Sequence, residues 1–132
     1  LATSNTGGVG EPPRADLKGV RVLVVEDQWY VANALKSLLE ADGAQVSGPV
    51  STTTNALRLA AEQKPDLAVV DINLKGETAY GLIDHLIDQG ARVVVVTGYA
   101  VLPELTKKVV AVLPKPFNGP RLLAALRAAL SL

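Results

Sequence analysis

The chain has 132 residues, 48% hydrophobic and 20% charged, so it can bury one core without disulfides or a structural metal and is too apolar for a disordered tail. Thirteen basic and thirteen acidic residues cancel to a formal charge of +0, which argues against a nucleic-acid binder. No Cys and a single His exclude a disulfide framework, a thiol nucleophile, a zinc-thiolate site and a two-His metal motif.

Residues 1–18 are rich in Gly, Ser, Thr and Pro and read as a linker or flexible arm, with the folded domain expected over 19–132. Residues 20–25 are a nearly unbroken apolar run, as expected of a strand buried on both faces. Val31, Ala34, Leu35, Leu38 and Leu39 then recur at helical spacing, and Gly43 ends that helix. Residues 44–50 predict a second strand. A helix over 52–63 carries Ala56, Leu57, Ala60 and Ala61 on one face, capped by Ser51 or a following Thr and stopped by Pro65. Residues 67–71 read as a third strand, and 79–89 as a helix with Leu82, Ile83, Leu86 and Ile87 facing inward. Residues 92–97 make a fourth strand, 101–108 a short, weak helix and 109–113 a fifth strand. Asn118-Gly119-Pro120 opens the last helix, with Asn as cap and Pro near the first helical position. Its apolar stripe is Leu122, Leu123, Leu126 and Leu130.

The sum is an α/β fold: a (βα)₅, doubly wound parallel sheet in three layers, with helices on both faces. In such open sheets the ligand site lies beyond the carboxyl ends of the strands. The residues to inspect are therefore those directly after each strand. After strand one come Glu26 and Asp27; after strand three, Asp71; strand four ends in Thr97; Lys115-Pro116 follows strand five. If the strand order is 2-1-3-4-5, strands 1, 3, 4 and 5 are neighbours and these groups share one edge.

Three carboxylates at close quarters repel and call for a cation, and hard oxygen ligands select Mg²⁺ or Mn²⁺. An ionised Asp can attack phosphorus without a general base and form an acyl phosphate. A metal, Lys115 and the Thr97 hydroxyl would screen charge on the transferring group.

Glu26-Asp27, Asp71, Thr97 and Lys115-Pro116-Phe117, in that order on those elements, resemble the receiver domain of two-component response regulators. The resemblance covers residues 19–132, and the separation of Asp27 and Asp71 fits it. It implies a flavodoxin-like fold with the order 2-1-3-4-5. It implies Asp71 as phosphoacceptor and Glu26, Asp27, Asp71 and the backbone carbonyl of Asn73 as Mg²⁺ ligands. It gives Thr97 a phosphoryl-binding role and Lys115 a salt bridge, with a cis bond to Pro116. The implied partner is a sensor histidine kinase or phosphotransfer protein, and the expected output is a conformational switch. The chain would not be an enzyme in the ordinary sense, but would support its own phosphorylation and dephosphorylation.

Several positions depart from the common receiver pattern. Val112 stands where many receivers carry an aromatic switch residue. The stretch from Thr97 to Lys115 is short, so the fourth helix should be truncated or disordered. Asn73-Leu74-Lys75-Gly76 replaces a Met-Pro after the phosphoacceptor. Thr97-Gly98-Tyr99 resembles a receiver subgroup often paired with HWE-type kinases. Tyr99 is a candidate for setting the lifetime of the acyl phosphate. Trp29 and Tyr30 read equally as packing or as a partner contact. His85 reads as a helix-surface residue. Val101, Leu102 and Leu105 read either as core or as a partner or homodimer surface.

Two other functions fit parts of the pattern. One is a Mg²⁺-dependent phosphatase working through an aspartyl phosphate, although Glu26-Asp27-Gln28 lacks the Asp-x-Asp typical of such enzymes. The other is a flavodoxin-like binding module without phosphorylation. No apolar run approaches the roughly 18 residues of a membrane helix, and residues 1–10 lack the features of a signal peptide, so the expected place is the cytoplasm. The Leu start and the lack of a DNA-binding segment after Leu132 fit a C-terminal receiver of a hybrid kinase, or a stand-alone receiver with an N-terminal extension.

Overall fold

The structure is a computed structural model that describes residues 16–131. Most of the expected arm, 1–15, lies outside the described residues. Leu17 does not belong to an arm: it is fully buried, and its N–H donates to Asp42 O at 3.0 Å. The packed domain therefore begins ahead of residue 19.

The described elements run β1 (Arg21–Val25), α1 (Trp29–Ala41), β2 (Gln45–Val50), α2 (Thr53–Gln63), β3 (Leu67–Val70), β4 (Asn73–Leu74), β5 (Glu77–Thr78), α3 (Tyr80–Asp88), β6 (Arg92–Thr97), α4 (Pro103–Lys108), β7 (Ala111–Pro114) and α5 (Gly119–Ala129). The main sheet is parallel, in the order β2-β1-β3-β6-β7. This is the expected 2-1-3-4-5 order with the small β4–β5 hairpin inserted between the third and fourth long strands.

Apolar runs in β1, β3 and β6 fill two cores, one on each face of the sheet. Leu23, Val25, Ala68, Val70, Val93 and Val95 face Ala56, Leu82, Ile83 and Leu86 of α2 and α3. Val22, Val24, Leu67, Val69, Val94 and Val96 face Leu35, Leu39, Leu122 and Leu126 of α1 and α5. Burial on both faces is why these strands show no polar alternation.

The helix ends follow local chemistry. Thr52 Oγ1 accepts from Asn55 N at 3.1 Å, and Asn118 Oδ1 accepts from Arg121 N at 3.0 Å. Gly43 has φ +95, and an added Cβ would lie 2.8 Å from Lys18 Cα. Gly48 (φ +90) lies where the β1–β2 register shifts, and its Cβ would meet Val24 O at 2.9 Å. Only glycine fits there without displacement.

Three expectations shift. In α1 the buried face is Ala32, Leu35 and Leu39, and Ala34 is exposed. In α2 it is Ala56 and Ala60 with Leu59 alongside, whereas Leu57 and Ala61 are exposed. The fifth long strand starts at Ala111, not 109, because Val109 N still bonds to Leu105 O of α4 at 3.1 Å. Helix α4 is truncated, as the spacing predicts: six residues that bury only Leu105. Of the apolar trio near it, Leu105 is buried, Val101 is partly buried against the core, and Leu102 is exposed.

Candidate functional site

The carboxyl ends of β1, β3, β6 and β7 bring the expected residues together. Glu26, Asp71 and Thr97 are only 3%, 5% and 3% exposed, although all three are polar. Each is fixed by the sheet. Glu26 N donates to Val50 O at 2.9 Å, and Asp71 N donates to Val25 O at 2.9 Å. Thr97 closes β6, and its carbonyl accepts from Lys115 N at 3.0 Å. The bond from Lys115 to Pro116 is cis, as is Gly48–Pro49.

Lys115 is the hub. Its Nζ lies 2.8 Å from Asp71 Oδ2, 2.8 Å from Glu26 Oε1 and 3.0 Å from Gln28 Oε1. The Asp71 and Gln28 contacts are aligned hydrogen bonds. The Glu26 contact is close but lacks hydrogen-bond alignment, so Glu26 Oε1 is a buried acceptor with no donor. We read that contact as Coulombic. The other oxygens are tied by short turns: Gln28 N donates to Glu26 Oε2 and Asn73 N to Asp71 Oδ1, each at 3.0 Å. Thr97 Oγ1 accepts from Tyr99 N at 3.2 Å.

Glu26, Asp27 and Asp71 each offer a carboxylate oxygen, and these oxygens lie within 4.8 Å of one another. Burial pushes the Glu26 carboxyl above its ordinary pKa of 4.5, and the Asp71 charge adds to that rise. Lys115 and the Gln28 N–H oppose the rise without cancelling it. Burial alone would lower Lys115, but its hydrogen bond to Asp71 and the nearby Glu26 carboxylate outweigh that and raise it. One ammonium thus faces three acidic side chains, and the buried charge is under-compensated. The hard oxygen donors, the undonated Glu26 Oε1 and the charge imbalance all fit Mg²⁺ or Mn²⁺. Asn73 lies in the same cleft as Asp27, Asp71 and Lys115, which is where a further carbonyl ligand is needed.

Two participants escape the sequence reading. Gln28 occupies the N-cap position of α1 but makes no capping bond; its side chain reaches Lys115 instead. Its place directly after the acid pair is the only sequence signal. Glu77, in the hairpin after Asp71, accepts from Thr53 N at 2.7 Å and from Thr53 Oγ1 at 3.1 Å. The turn glycine Gly76 (φ +78) marks the hairpin, but nothing local names its distant partner. His85 is exposed on α3, as expected. Trp29 and Tyr99 stand open to solvent, 74% and 70% exposed. The Trp29 ring meets Tyr30 edge-on at 6.1 Å. No described helix is long and apolar enough to cross a membrane.

Comparison with known proteins places this geometry. Residues 22–127 match the family described as the response regulator receiver domain. The chain is 26% identical over 114 residues to the chemotaxis protein CheY of Thermotoga maritima, covering 82% of this chain and 95% of that one. It is 29% identical over 82 residues to the transcriptional regulatory protein DesR of Bacillus subtilis, covering 61% of this chain and only 41% of that longer one. The solved CheY-like receiver domain from Methanospirillum hungatei superposes with a TM-score of 0.76 at 28% identity, covering 86% of this chain and 94% of that one. The chain belongs to the response regulator receiver domain family of two-component systems.

Proposed function

We propose that this receiver accepts a phosphoryl group from a histidine kinase or phosphotransfer protein onto Asp71, in a reaction that needs Mg²⁺. The observation that carries the reading is the Asp71 carboxylate, held 2.8 Å from the Lys115 ammonium and clustered with the Glu26 and Asp27 oxygens. Glu26, Asp27, Asp71 and the Asn73 carbonyl would hold the ion, which neutralises their charge and screens a phosphoryl oxygen.

The chain's own groups do the rest. An Asp71 oxygen attacks phosphorus in line as the bond to the donor's imidazole nitrogen breaks, and the electron pair leaves with that nitrogen. Asn73 N–H and Lys115 orient the Asp71 carboxylate before attack. Lys115 and the Thr97 hydroxyl then bind the new phosphoryl oxygens. No general base is needed, since a carboxylate nucleophile has no proton to give up on attack.

The chain acts as a signalling receiver that supports its own labelling and hydrolysis. Its working place is the cytoplasm, alone or joined to a hybrid kinase. Thr97-Gly98-Tyr99 and the six-residue α4 support the subgroup that pairs with HWE-type kinases. Val112 is partly buried and apolar, so the switch works without an aromatic at that position. Leu102, 56% exposed, offers the apolar surface that an output partner or a second copy would cover. A phosphatase would need a second catalytic carboxylate placed as acid, and no observation favours one.

Incubation with acetyl phosphate and Mg²⁺ tests the reading. The wild-type chain should gain one phosphoryl group labile to base and hydroxylamine, and Asp71→Asn should gain none. Label that persists in Asp71→Asn removes the assignment.

A further inference from the structure

We infer that Glu77 is a positioning residue for the Asp71 site, pinning the hairpin that carries Asn73 to the first turn of α2. The inference rests on the reading of Asp71 and its metal ligands given above. Hairpin β4–β5 has two residues per strand, pairing Asn73 with Thr78 and Leu74 with Glu77. So small a ladder does not hold itself in water, and its position depends on its anchors. Leu74 is buried in the core, and Ala79 N donates to Ile72 O at 2.8 Å. The third anchor is Glu77, whose two oxygens take the N–H and the hydroxyl of Thr53 at 2.7 and 3.1 Å.

The contact suits both sides. Thr53 is the first residue of α2, where the backbone N–H has no partner within the helix. The first turn of α2 has no acidic residue of its own, so the carboxylate that complements the helix dipole comes from the hairpin. Asn73 lies diagonally across the ladder from Glu77, and its N–H holds Asp71 Oδ1. Releasing Glu77 lets the hairpin pivot about Leu74, which displaces both that N–H and the Asn73 carbonyl. Coupling is reciprocal: a ligand that orders Asn73 also tightens the Thr53 contact.

Two variants attack the contact from opposite sides. Glu77→Ala removes the acceptor. Thr53→Pro removes both donors, yet Pro is well suited to the first helical position, and Thr52 before it is already extended (φ −131, ψ 155). Mg²⁺ affinity is read by calorimetry and by Trp29 emission, and Asn73 N–H exchange is read in the metal-free chain. Each variant should weaken Mg²⁺ binding by about tenfold, as loss of a residue behind a metal ligand commonly does, and should speed Asn73 exchange. The double variant should be no worse than either single one. Glu77→Gln should recover most of the affinity, because its amide oxygen can still accept from Thr53 N. Variants with a lowered Tm but wild-type Mg²⁺ affinity and Asn73 exchange would reduce Glu77 to a structural tie and overturn the inference. If Glu77→Ala does not fold, Thr53→Pro decides on the same readouts. Wild-type chain that binds no Mg²⁺ is a different failure: it removes the site reading, and the role of Glu77 with it.

Discussion

Along the carboxyl edge of the sheet, β1 and β3 end in residues held from several directions, whereas the segment between β6 and β7 hangs on a six-residue helix. Glu26 and Asp71 follow strands buried on both faces, and their backbones continue the hydrogen-bond ladder past the strand ends. Between Thr97 and Ala111, α4 buries only Leu105, with Val109 just after it. Its one ion pair among the described residues is the exposed Lys108–Asp84 contact at 3.0 Å, worth little in water. The difference separates two tasks. Charges that must be brought together against their repulsion need a scaffold too stiff to relax. On the proposed reading the 98–110 segment is the part that changes state, which needs a small free-energy difference between its arrangements, and few buried contacts supply that.

Paired truncations break or sharpen this comparison. Leu23 of β1 is fully buried beneath the site, so Leu23→Ala should cost about 4 kcal/mol from lost transfer energy and the cavity left behind. Leu102→Ala, beside the short helix, should lie within about 0.5 kcal/mol of wild type. Urea unfolding of the two variants measures both. Similar losses would mean that the 98–110 segment is as firmly built as the strands.

Lys115→Ala probes the charge side of the comparison. The ammonium is 17% exposed, against 1% for the Glu26 side chain and 5% for that of Asp71, so its removal leaves buried carboxylates facing one another. The metal-free variant should lose about 3 kcal/mol at neutral pH, and excess Mg²⁺ should return much of it. The pH dependence has a definite sign. Glu26 titrates above 4.5 in the folded chain. Its protonated form therefore favours folding fully below pH 4.5, and that contribution fades as pH rises through the elevated value. Lys115 titrates above 10.5, so its contribution is full below that pH and is lost as pH climbs through the raised value. Metal-free Lys115→Ala should hence regain stability on acidification more steeply than wild type. An equal loss with and without Mg²⁺, flat in pH, would show that the ammonium is not what holds these carboxylates together.

The sequence made the scaffold and the clustered polar groups legible for one reason: both are written in local pattern. Unbroken apolar runs mark strands buried on both faces, and the residue after each run is where an open parallel sheet puts its chemistry. Glu26, Asp27, Asp71, Thr97 and Lys115 all stand at or just past such strand ends. What stayed hidden depends on contacts between distant segments. Gln28 looks like an indifferent helix cap until β7 brings Lys115 beside it. Glu77 looks like a solvated turn residue until α2 presents the Thr53 N–H. The exposed Leu57 and Ala34 err in a related way: helical spacing says that a face exists, but the angle of packing on the sheet decides which side of the stripe is covered.

Tyr99 carries the smallest effect and the finest test. It lies on the lightly anchored side of the comparison, two residues after Thr97, yet its N–H bonds to the Thr97 hydroxyl and it lines the same cleft as Asp71, Asn73 and Lys115. A 70% exposed ring there contributes little to the core, so Tyr99→Ala should leave Tm and Mg²⁺ affinity near wild type. It should shorten the life of phosphorylated Asp71 by a few-fold, since a ring over the cleft limits the approach of water to phosphorus. The measurement is decay of label after removal of the phosphoryl donor. Tyr99→Phe separates the ring from its hydroxyl: decay at the wild-type rate assigns the effect to shielding. A Tyr99→Ala chain whose label decays as slowly as wild type would confine hydrolysis control to the β1–β3 side, leaving the 98–110 segment to signal output alone.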